Sequence, residues 1–472
     1  MRFWFFIPAI FLLTGCVHYQ PQPVSPDAFA ARWDQRRLDD PGLKKFIEQN
    51  NGHSLTNWPP ARWDFNSLTL VAFYFHPGLE VAHAQWLVAV AGEKTAGARP
   101  NPTVSVNPAY DSQIPGNYSP WMAPLSFDIP LETDGKRRKR IAEAQAAAES
   151  ARWNFIAAVW QIRSNVRASL QDLNAAENRT KLLASQFALQ KKIMGLLQSR
   201  LDAGEISRPD LVTAQLALNQ TQLDLGDAQS AKVAAQSRLA QALGLGESAL
   251  IGQKFKFEFP PRGFNELTAR QARQLALRSR ADILAALADY ATAEADLRLE
   301  VARQYPDLHL GPGYAWNNGN YCDNQWSLGA TLELPILDQN QGPIAEAQAR
   351  RKLAAAKFIE LQSQVIGQID LALDQVRAAR QQLKNGNDLL AIEQQQEKSE
   401  QAQLAAGAAD PLDLLTAQLT TANARLTQLD NEAKWQAAVG SLEDALQQPT
   451  DSLTAAINNL SGQDPDERNS HP

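Results

Sequence analysis

The chain has 472 residues and a net charge of −6, from 45 Lys and Arg against 51 Asp and Glu, a balance that argues against nucleic acid as a partner. A composition of 44% hydrophobic and 20% charged residues fits a folded protein rather than a disordered one. After the first few residues no run of 18 or more apolar residues occurs, so any crossing of a membrane must be made by strands.

Met1-Arg2 opens the chain and precedes an apolar run, Phe3 to Leu13. That run is shorter than the roughly 20 residues of a spanning helix and is the h-region of an export signal. It ends in Leu13-Thr14-Gly15-Cys16, which resembles a bacterial lipobox. Residues 1–15 are then a lipoprotein signal peptide, and Cys16 becomes the acylated (palmitate-bearing) first residue of a lipid-anchored segment, 16–64. Several acyl chains at about 0.8 kcal/mol per buried methylene anchor a protein stably. Val17, not Asp, follows the cysteine, which favours delivery to the outer membrane. With Cys16 spent on lipid, Cys322 is alone and no intrachain disulfide is expected.

From residue 65 the chain says the same thing twice. Ile141-Ala142-Glu143-Ala144-Gln145-Ala146 recurs as Ile344-Ala345-Glu346-Ala347-Gln348-Ala349, a shift of 203 residues from 141 to 344. Gly204, Asp210-Leu211 and Thr213-Ala214-Gln215-Leu216 recur at the same shift as Gly407, Asp413-Leu414 and Thr416-Ala417-Gln418-Leu419. Phe65-Asn66 with Leu68-Thr69 returns as Phe264-Asn265 with Leu267-Thr268, and Trp121 and Pro130 return as Trp326 and Pro335. The boundaries are a first repeat over 65–262, a second over 263–447, and a polar tail over 448–472. Two copies of one unit must be built alike.

Each repeat predicts strands and then a long helical hairpin. Val104, Val106 and Tyr110 alternate with small or polar residues, and Leu125, Phe127, Ile129 and Leu131 do so again, giving strands within about 103–131. Leu308, Leu310 and Tyr314, then Leu328, Ala330, Leu332, Leu334 and Ile336, give their counterparts within about 307–336. Alternation over about ten residues is the signature of a membrane β-strand. Trp121 and Trp326, with Tyr110 and Tyr314, suit a membrane-interface girdle. Four strands cannot close a barrel, so spanning strands would have to be pooled from several chains. The hairpins are expected over about 135–243 and 343–447, with heptad rows such as Leu182, Leu189, Leu196 and Ile369, Val376, Leu383. The narrow stripes suit helices joined edge to edge in a wall better than a bundle with broad apolar faces.

The turns are Ala203-Gly204-Glu205-Ile206-Ser207 and Ala406-Gly407-Ala408-Ala409-Asp410. Glycine permits the left-handed residue that ends a helix, while Ser207 with Pro209 and Asp410 with Pro411 read as caps of the returning helices. Lys136 to Arg140 is a basic run at a strand-to-helix junction, placing Lys136 and Arg137 at the membrane interface with their side chains reaching for headgroups. Gly92-Glu93-Lys94-Thr95 lacks phosphate-loop spacing. His76 and His83, seven apart, are read as packing rather than a metal site. No constellation of catalytic side chains or resident metal ligands stands out, so the chain reads as no enzyme and needs no cofactor beyond the lipid on Cys16.

Taken in order, lipobox, helices, strands, very long helix, Gly turn and long helix, all then repeated, resemble the TolC-like outer-membrane efflux protein family. The segments that carry the likeness are Leu68-Thr69, Pro77 with Leu79 and Ala82, Pro100 with Pro102, and Ile129-Pro130-Leu131-Glu132-Thr133-Asp134-Gly135-Lys136-Arg137-Arg138, with both Gly turns. The Pro-Leu-Glu-Thr-Asp-Gly stretch is most like the Czc-type heavy-metal branch. The resemblance implies a mainly α fold with a membrane β part: a homotrimer with a periplasmic α-barrel and a shared twelve-stranded β-barrel. It implies an exit duct of a tripartite pump, heavy-metal cations being one cargo class and organic compounds or a secreted polypeptide the alternatives. It implies a periplasmic adaptor contacting Gly204, Glu205, Ile206, Gly407, Ala408 and Ala409, and an inner-membrane pump of the proton-driven RND type. It also implies a periplasmic aperture at Asp413; the family's second acidic position is Thr416 here. The reading from another class is a non-pore coiled-coil envelope lipoprotein, which explains the heptads but not the duplicated strands. A lipoprotein enzyme acting on cell-wall material is disfavoured by the missing acid–base constellation.

Overall fold

A computed structural model describes residues 18–52, 54–55, 57–110, 112–113, 120–257, 268–317 and 325–448. Cys16, Cys322, Phe264 to Leu267 and the tail beyond Gln448 lie outside them. Four helices lead into the first strands: α1 (Pro26–Gln35), α2 (Pro41–Asn51), α3 (Phe65–Phe75) and α4 (Pro77–Ala96). Their starts follow local chemistry. Ser25, Asp40 and Asp64 each accept the N–H three residues on, at 3.3, 2.9 and 2.8 Å, and Pro stands at the first position of α1, α2 and α4.

The long elements follow. α5 (Lys136–Asp202) runs for 67 residues, about 100 Å at ~1.5 Å per residue, and returns as α6 (Arg208–Leu243). The second repeat gives α7 (Ala269–Ser279), α8 (Ala281–Arg303), α9 (Gln341–Ala405, 65 residues) and α10 (Pro411–Leu446). α6 packs on α5, α5 on α10, and α10 on α9, so the four long helices stand in the order α6–α5–α10–α9. This layer has two edges, α6 and α9.

Two apolar cores sit where the short helices pack on the long ones. The first gathers Leu43, Ile47, Trp63, Leu68, Phe155, Val159, Leu170, Leu239 and Leu243. The second, smaller one gathers Ile283, Val365, Ile369, Leu373, Leu442 and Leu446. Nearer the turns no such core exists. The heptad residues Leu182, Leu189 and Leu196 are only half-buried, and apart from Leu183 the closed positions there are small or polar, among them Thr221, Ala228, Ala417, Thr421 and Ala424. Small residues let helices approach closely, so this stretch is held by near contact instead of a wide oily stripe.

The strands are β1 (Thr103–Val106), β2 (Ala109–Tyr110), β3 (Trp121–Leu131), β4 (Leu308–Asn317) and β5 (Gln325–Leu332). They form one antiparallel sheet in the order β1–β3–β4–β5, with β2 continuing β1 along β3. The break between β1 and β2 falls at Asn107-Pro108, where proline lacks a ladder donor. The repeats meet at β3 and β4, paired from Met122↔Asn317 to Leu131↔Leu308. One expectation is corrected. The last strand stops at Leu332, so Leu334 and Ile336 are not in it. Pro335 cannot donate to a ladder, and the Ile336 N–H turns back onto the Leu334 carbonyl at 2.8 Å.

Candidate functional site

The sheet has two chemically distinct faces. Val104, Val106, Leu125, Phe127, Ile129 and Leu131 share one face with Leu308, Leu310, Pro312, Tyr314, Trp326, Leu328 and Leu332, as the register requires. The other face carries Thr103, Ser105, Ser126, Asp128, His309, Gly311, Gly313, Ser327, Gly329 and Thr331, with Met122, Pro124, Pro130 and Ala315 among them. A period-2 strand puts alternate residues on opposite sides, so the sequence alternation becomes one apolar and one polar surface. The four aromatic residues singled out in the strands fall into two neighbouring pairs. Tyr110 lies across from Trp121 with ring centres 5.1 Å apart, and Tyr314 across from Trp326 at 4.7 Å. Both pairs sit at the sheet end remote from the long helices, and both Trp side chains are exposed.

At the opposite end the basic run does something other than reach for headgroups. Lys136 is buried, and its Nζ donates to Asp307 Oδ1 at 2.8 Å. Burial pushes the Asp307 carboxyl up, but the Lys136 ammonium and the Thr133 N–H (2.9 Å) outweigh it and hold the group below the usual carboxylate range. Arg137 Nε donates to the Gly97 carbonyl at 2.7 Å. Arg140 pairs with Glu132 and bonds the carbonyls of Ala96 and Ala98. These cations close the C-terminal end of α4 and clamp the sheet to α5, where a helix end carries partial negative charge. The expected snorkelling is therefore corrected for Lys136, whose buried ammonium is turned to Asp307, while Arg137 is exposed and uses its Nε on the Gly97 carbonyl.

The seam between the repeats, α5 against α10, is polar along its length. Near the cores Arg163 and Arg167 donate to the two oxygens of Glu443 at 2.7 and 2.6 Å, Arg167 also to the Gly440 carbonyl at 2.9 Å. Arg163 stacks over Phe65 and Trp160, 4.9 and 5.3 Å from the ring centres. Further along stand Arg179–Asp430 and Gln186–Asn423, both at 2.9 Å. At the far end Arg200 of the first hairpin pairs with Asp410 of the second.

The two turns share one construction. Gly204 and Gly407 have φ of +77° and +71°. Gly204 N–H bonds Leu201 O and Glu205 N–H bonds Arg200 O; Gly407 and Ala408 repeat this on Leu404 and Gln403. This is the Schellman closure that glycine makes accessible. Asp210 then accepts from the Ser207 hydroxyl and N–H at 2.6 and 3.1 Å, and these bonds hold its carboxyl below the usual range. Asp413 accepts from the Asp410 N–H at 3.3 Å, and Asp410 caps Leu412 N–H at 2.8 Å. The Arg200 hydrogen bond, with that backbone N–H, holds the Asp410 carboxyl low. Asp413 and Thr416 are both exposed. Glu205 and the tip residues Ala408 and Ala409 are also on the surface or half-buried, as is Ile206. His76 and His83 do not come together in a site: His76 Nδ1 caps Gly78 N–H at 3.1 Å, and His83 packs between Trp86 and Phe155.

Sequence reasoning missed Arg200, Asp128, His309, Arg163, Arg167 and Glu443. Each acts across a gap of more than 170 residues, with no local motif to announce the pairing.

The chain belongs to the outer membrane efflux protein family, whose model matches residues 76–245 and 272–447. It is similar to the cobalt-zinc-cadmium resistance protein CzcC of Cupriavidus metallidurans, with 26% identity over 307 residues, 64% of this chain and 72% of that protein. Nodulation protein T of Rhizobium leguminosarum bv. viciae is 25% identical over 309 residues, 64% of either chain. Among solved structures, VceC of Vibrio cholerae superposes with a TM-score of 0.67 at 18% identity, over 82% of this chain and 99% of that one. The CusC channel gives 0.67 at 18% identity, over 84% and 96%. The fold is that of these outer-membrane channels.

Proposed function

We propose that three copies of this chain form the outer-membrane exit duct of a tripartite efflux system. The carrying observation is that both layers are open and carry unsatisfied edges of the right kind. α6 presents exposed Val212, Leu216, Leu223 and Val233, and α9 exposed Leu353, Ile359, Leu389 and Ile392. The sheet ends in unpaired β1 and β5. Burying α6 of one copy on α9 of the next, and β1 beside β5, closes both layers at once and removes both edges. Three chains then supply about twelve strands, within the range of membrane barrels. The apolar sheet face meets lipid, the polar face lines a water-filled lumen, and the exposed Trp pairs form the outer girdle.

Acylation at Cys16 anchors the lipoprotein beside the barrel. The helical tips at Gly204–Ile206 and Gly407–Ala409 meet a periplasmic adaptor, and Asp413 and Thr416 line the narrow end, with the Arg200–Asp410 pair tying the two hairpins. Energy comes from an inner-membrane pump, of the proton-driven RND type. The likeness to a cobalt-zinc-cadmium resistance protein supports divalent metal cations as cargo. Purified protein in planar bilayers tests this directly: discrete single-channel steps and a trimer mass in detergent are expected. A monomer that leaves bilayers silent refutes the duct and favours a rod-like envelope lipoprotein.

A further inference from the structure

His309 lies on the polar face of β4, and its Nδ1 is 2.9 and 3.1 Å from the two carboxylate oxygens of Asp128 on β3. Asp128 sits beside it diagonally, since the register places Pro130 opposite His309 and the ladder runs on toward Gly313 opposite Ser126. On the far side β5 offers Thr331 opposite His309 and then Gly329, so nothing bulky stands over the ring. The imidazole side chain is 40% exposed, and among the described residues its Nε2 has no hydrogen-bond partner.

This is the arrangement in which a carboxylate fixes a histidine for a metal. In it Nδ1–H donates to the carboxylate, which sets the orientation of the ring and leaves Nε2 to offer its lone pair to an ion. A packing histidine would turn both nitrogens into the protein. Here one is held and the other has no hydrogen-bond partner among the described residues, on the face that also carries Ser126, Gly311 and Thr331. Imidazole suits borderline divalent cations such as zinc and cobalt over magnesium or calcium.

We propose that His309 Nε2, positioned by Asp128, is a transit ligand for borderline divalent cations on the inner wall of the duct. The placement on an inner wall rests on the duct reading; the His–Asp pair itself does not. Among the described residues no three His, Cys, Asp or Glu side chains converge, so the contact has one protein donor from this chain and water completing the shell. That is what a conduit requires, because a site must bind well enough to admit an ion and loosely enough to release it. The titratable groups near His309 are Asp128 on β3 and Asp307 two residues earlier, already engaged by Lys136; β5 brings none opposite it.

Zinc chloride is the probe, in two measurements on the detergent-purified full chain. Calorimetric titration should give weak zinc binding at pH 7.5 that loses one site per chain in His309→Ala and in His309→Asn. Asp128→Asn should weaken that site about tenfold, as loss of an orienting carboxylate does. In bilayers, zinc on either side should reduce the current of the wild type, and the His309 variants should resist it. Binding that is unchanged in both His309 variants overturns the site. Normal conductance with no His309-dependent zinc effect and no lost binding site refutes the site while leaving the duct standing. A His309-dependent binding site in a protein that never conducts does the reverse.

Discussion

Glu443 meets both Arg163 and Arg167, and the three side chains are only 11%, 7% and 5% exposed. Glu443→Ala leaves two guanidinium groups with the Gly440 carbonyl, Asp444 and two aromatic faces as company. Removing one partner of a buried ion pair costs about 3–5 kcal/mol, because a charge stays behind without water or counter-ion. Asp444, already in contact with Arg167, absorbs part of this, which sets the expectation near the lower bound. At ~1.4 kcal/mol per tenfold, local opening of the α10 end becomes roughly a hundredfold more frequent. Hydrogen–deuterium exchange of the amides from Ala438 to Leu446 measures it. The triple change Arg163→Met, Arg167→Met, Glu443→Leu should restore most of the protection, since an apolar set replaces a buried ion triad at little net cost. Exchange that rises less than tenfold in Glu443→Ala, or a triple variant worse than the single, refutes the view of this seam as a charge-locked joint.

Arg200→Ala should raise single-channel conductance by freeing the second hairpin tip, and Asp413→Ala should do so to a smaller degree while reducing divalent block; equal currents in all three proteins would remove both residues from the aperture. The same contact sets a pH dependence. Asp410 has its carboxyl lowered from 3.8 by Arg200, so the stabilisation is complete above the ordinary carboxylate range and is lost only as pH falls through the depressed value. Conductance should therefore be flat between pH 5 and 7 and rise only in stronger acid, and an opening centred near pH 6 would assign the gate to another group. Gly244→Ala should destabilise by at least about 2 kcal/mol, because φ is +73° and a Cβ would lie 2.7 Å from the Phe75 carbonyl; Arg36, bonded to both carbonyls, would loosen, and limited proteolysis should release α1 and α2 faster. Cys16→Ala should remove the lipid, seen by mass spectrometry, yet leave trimers that still insert when given a cleavable signal.

Repetition and periodicity were enough to place the long helices, both Gly turns and most of the strands. The pattern Val104, Val106, Leu125, Phe127 states a two-faced sheet before any coordinate does, because side-chain direction in a strand depends only on position. What stayed hidden depends on distant partners. Lys136 looks like a surface cation until Asp307 arrives from the second repeat to bury it. Leu334 and Ile336 keep the alternation of a strand, but Pro335 ends the ladder. Asp413 was legible as the residue after the turn. The ion pair beside it was not, since Arg200 is one of many charged residues on α5 and its selection of Asp410 is a matter of how two hairpins lie together.

The polar seam has a consequence for ancestry and for assembly. At the shift of 203 residues Arg200 corresponds to Gln403 and Asp410 to Ser207, while Arg167 corresponds to Asp370 and Glu443 to Ala240. None of these charge pairs is repeated at the corresponding positions of α9 and α6, the helices that the proposed trimer would bring together between chains. In the proposed trimer, six copies of an ancestral single unit would have shared six identical joints; after duplication the joints alternate, three within chains that carry these charge pairs and three between chains that lack their counterparts. Two half-chains cut between α6 and α7 would consequently be steered to recombine with α5 beside α10, where the charge pairs lie.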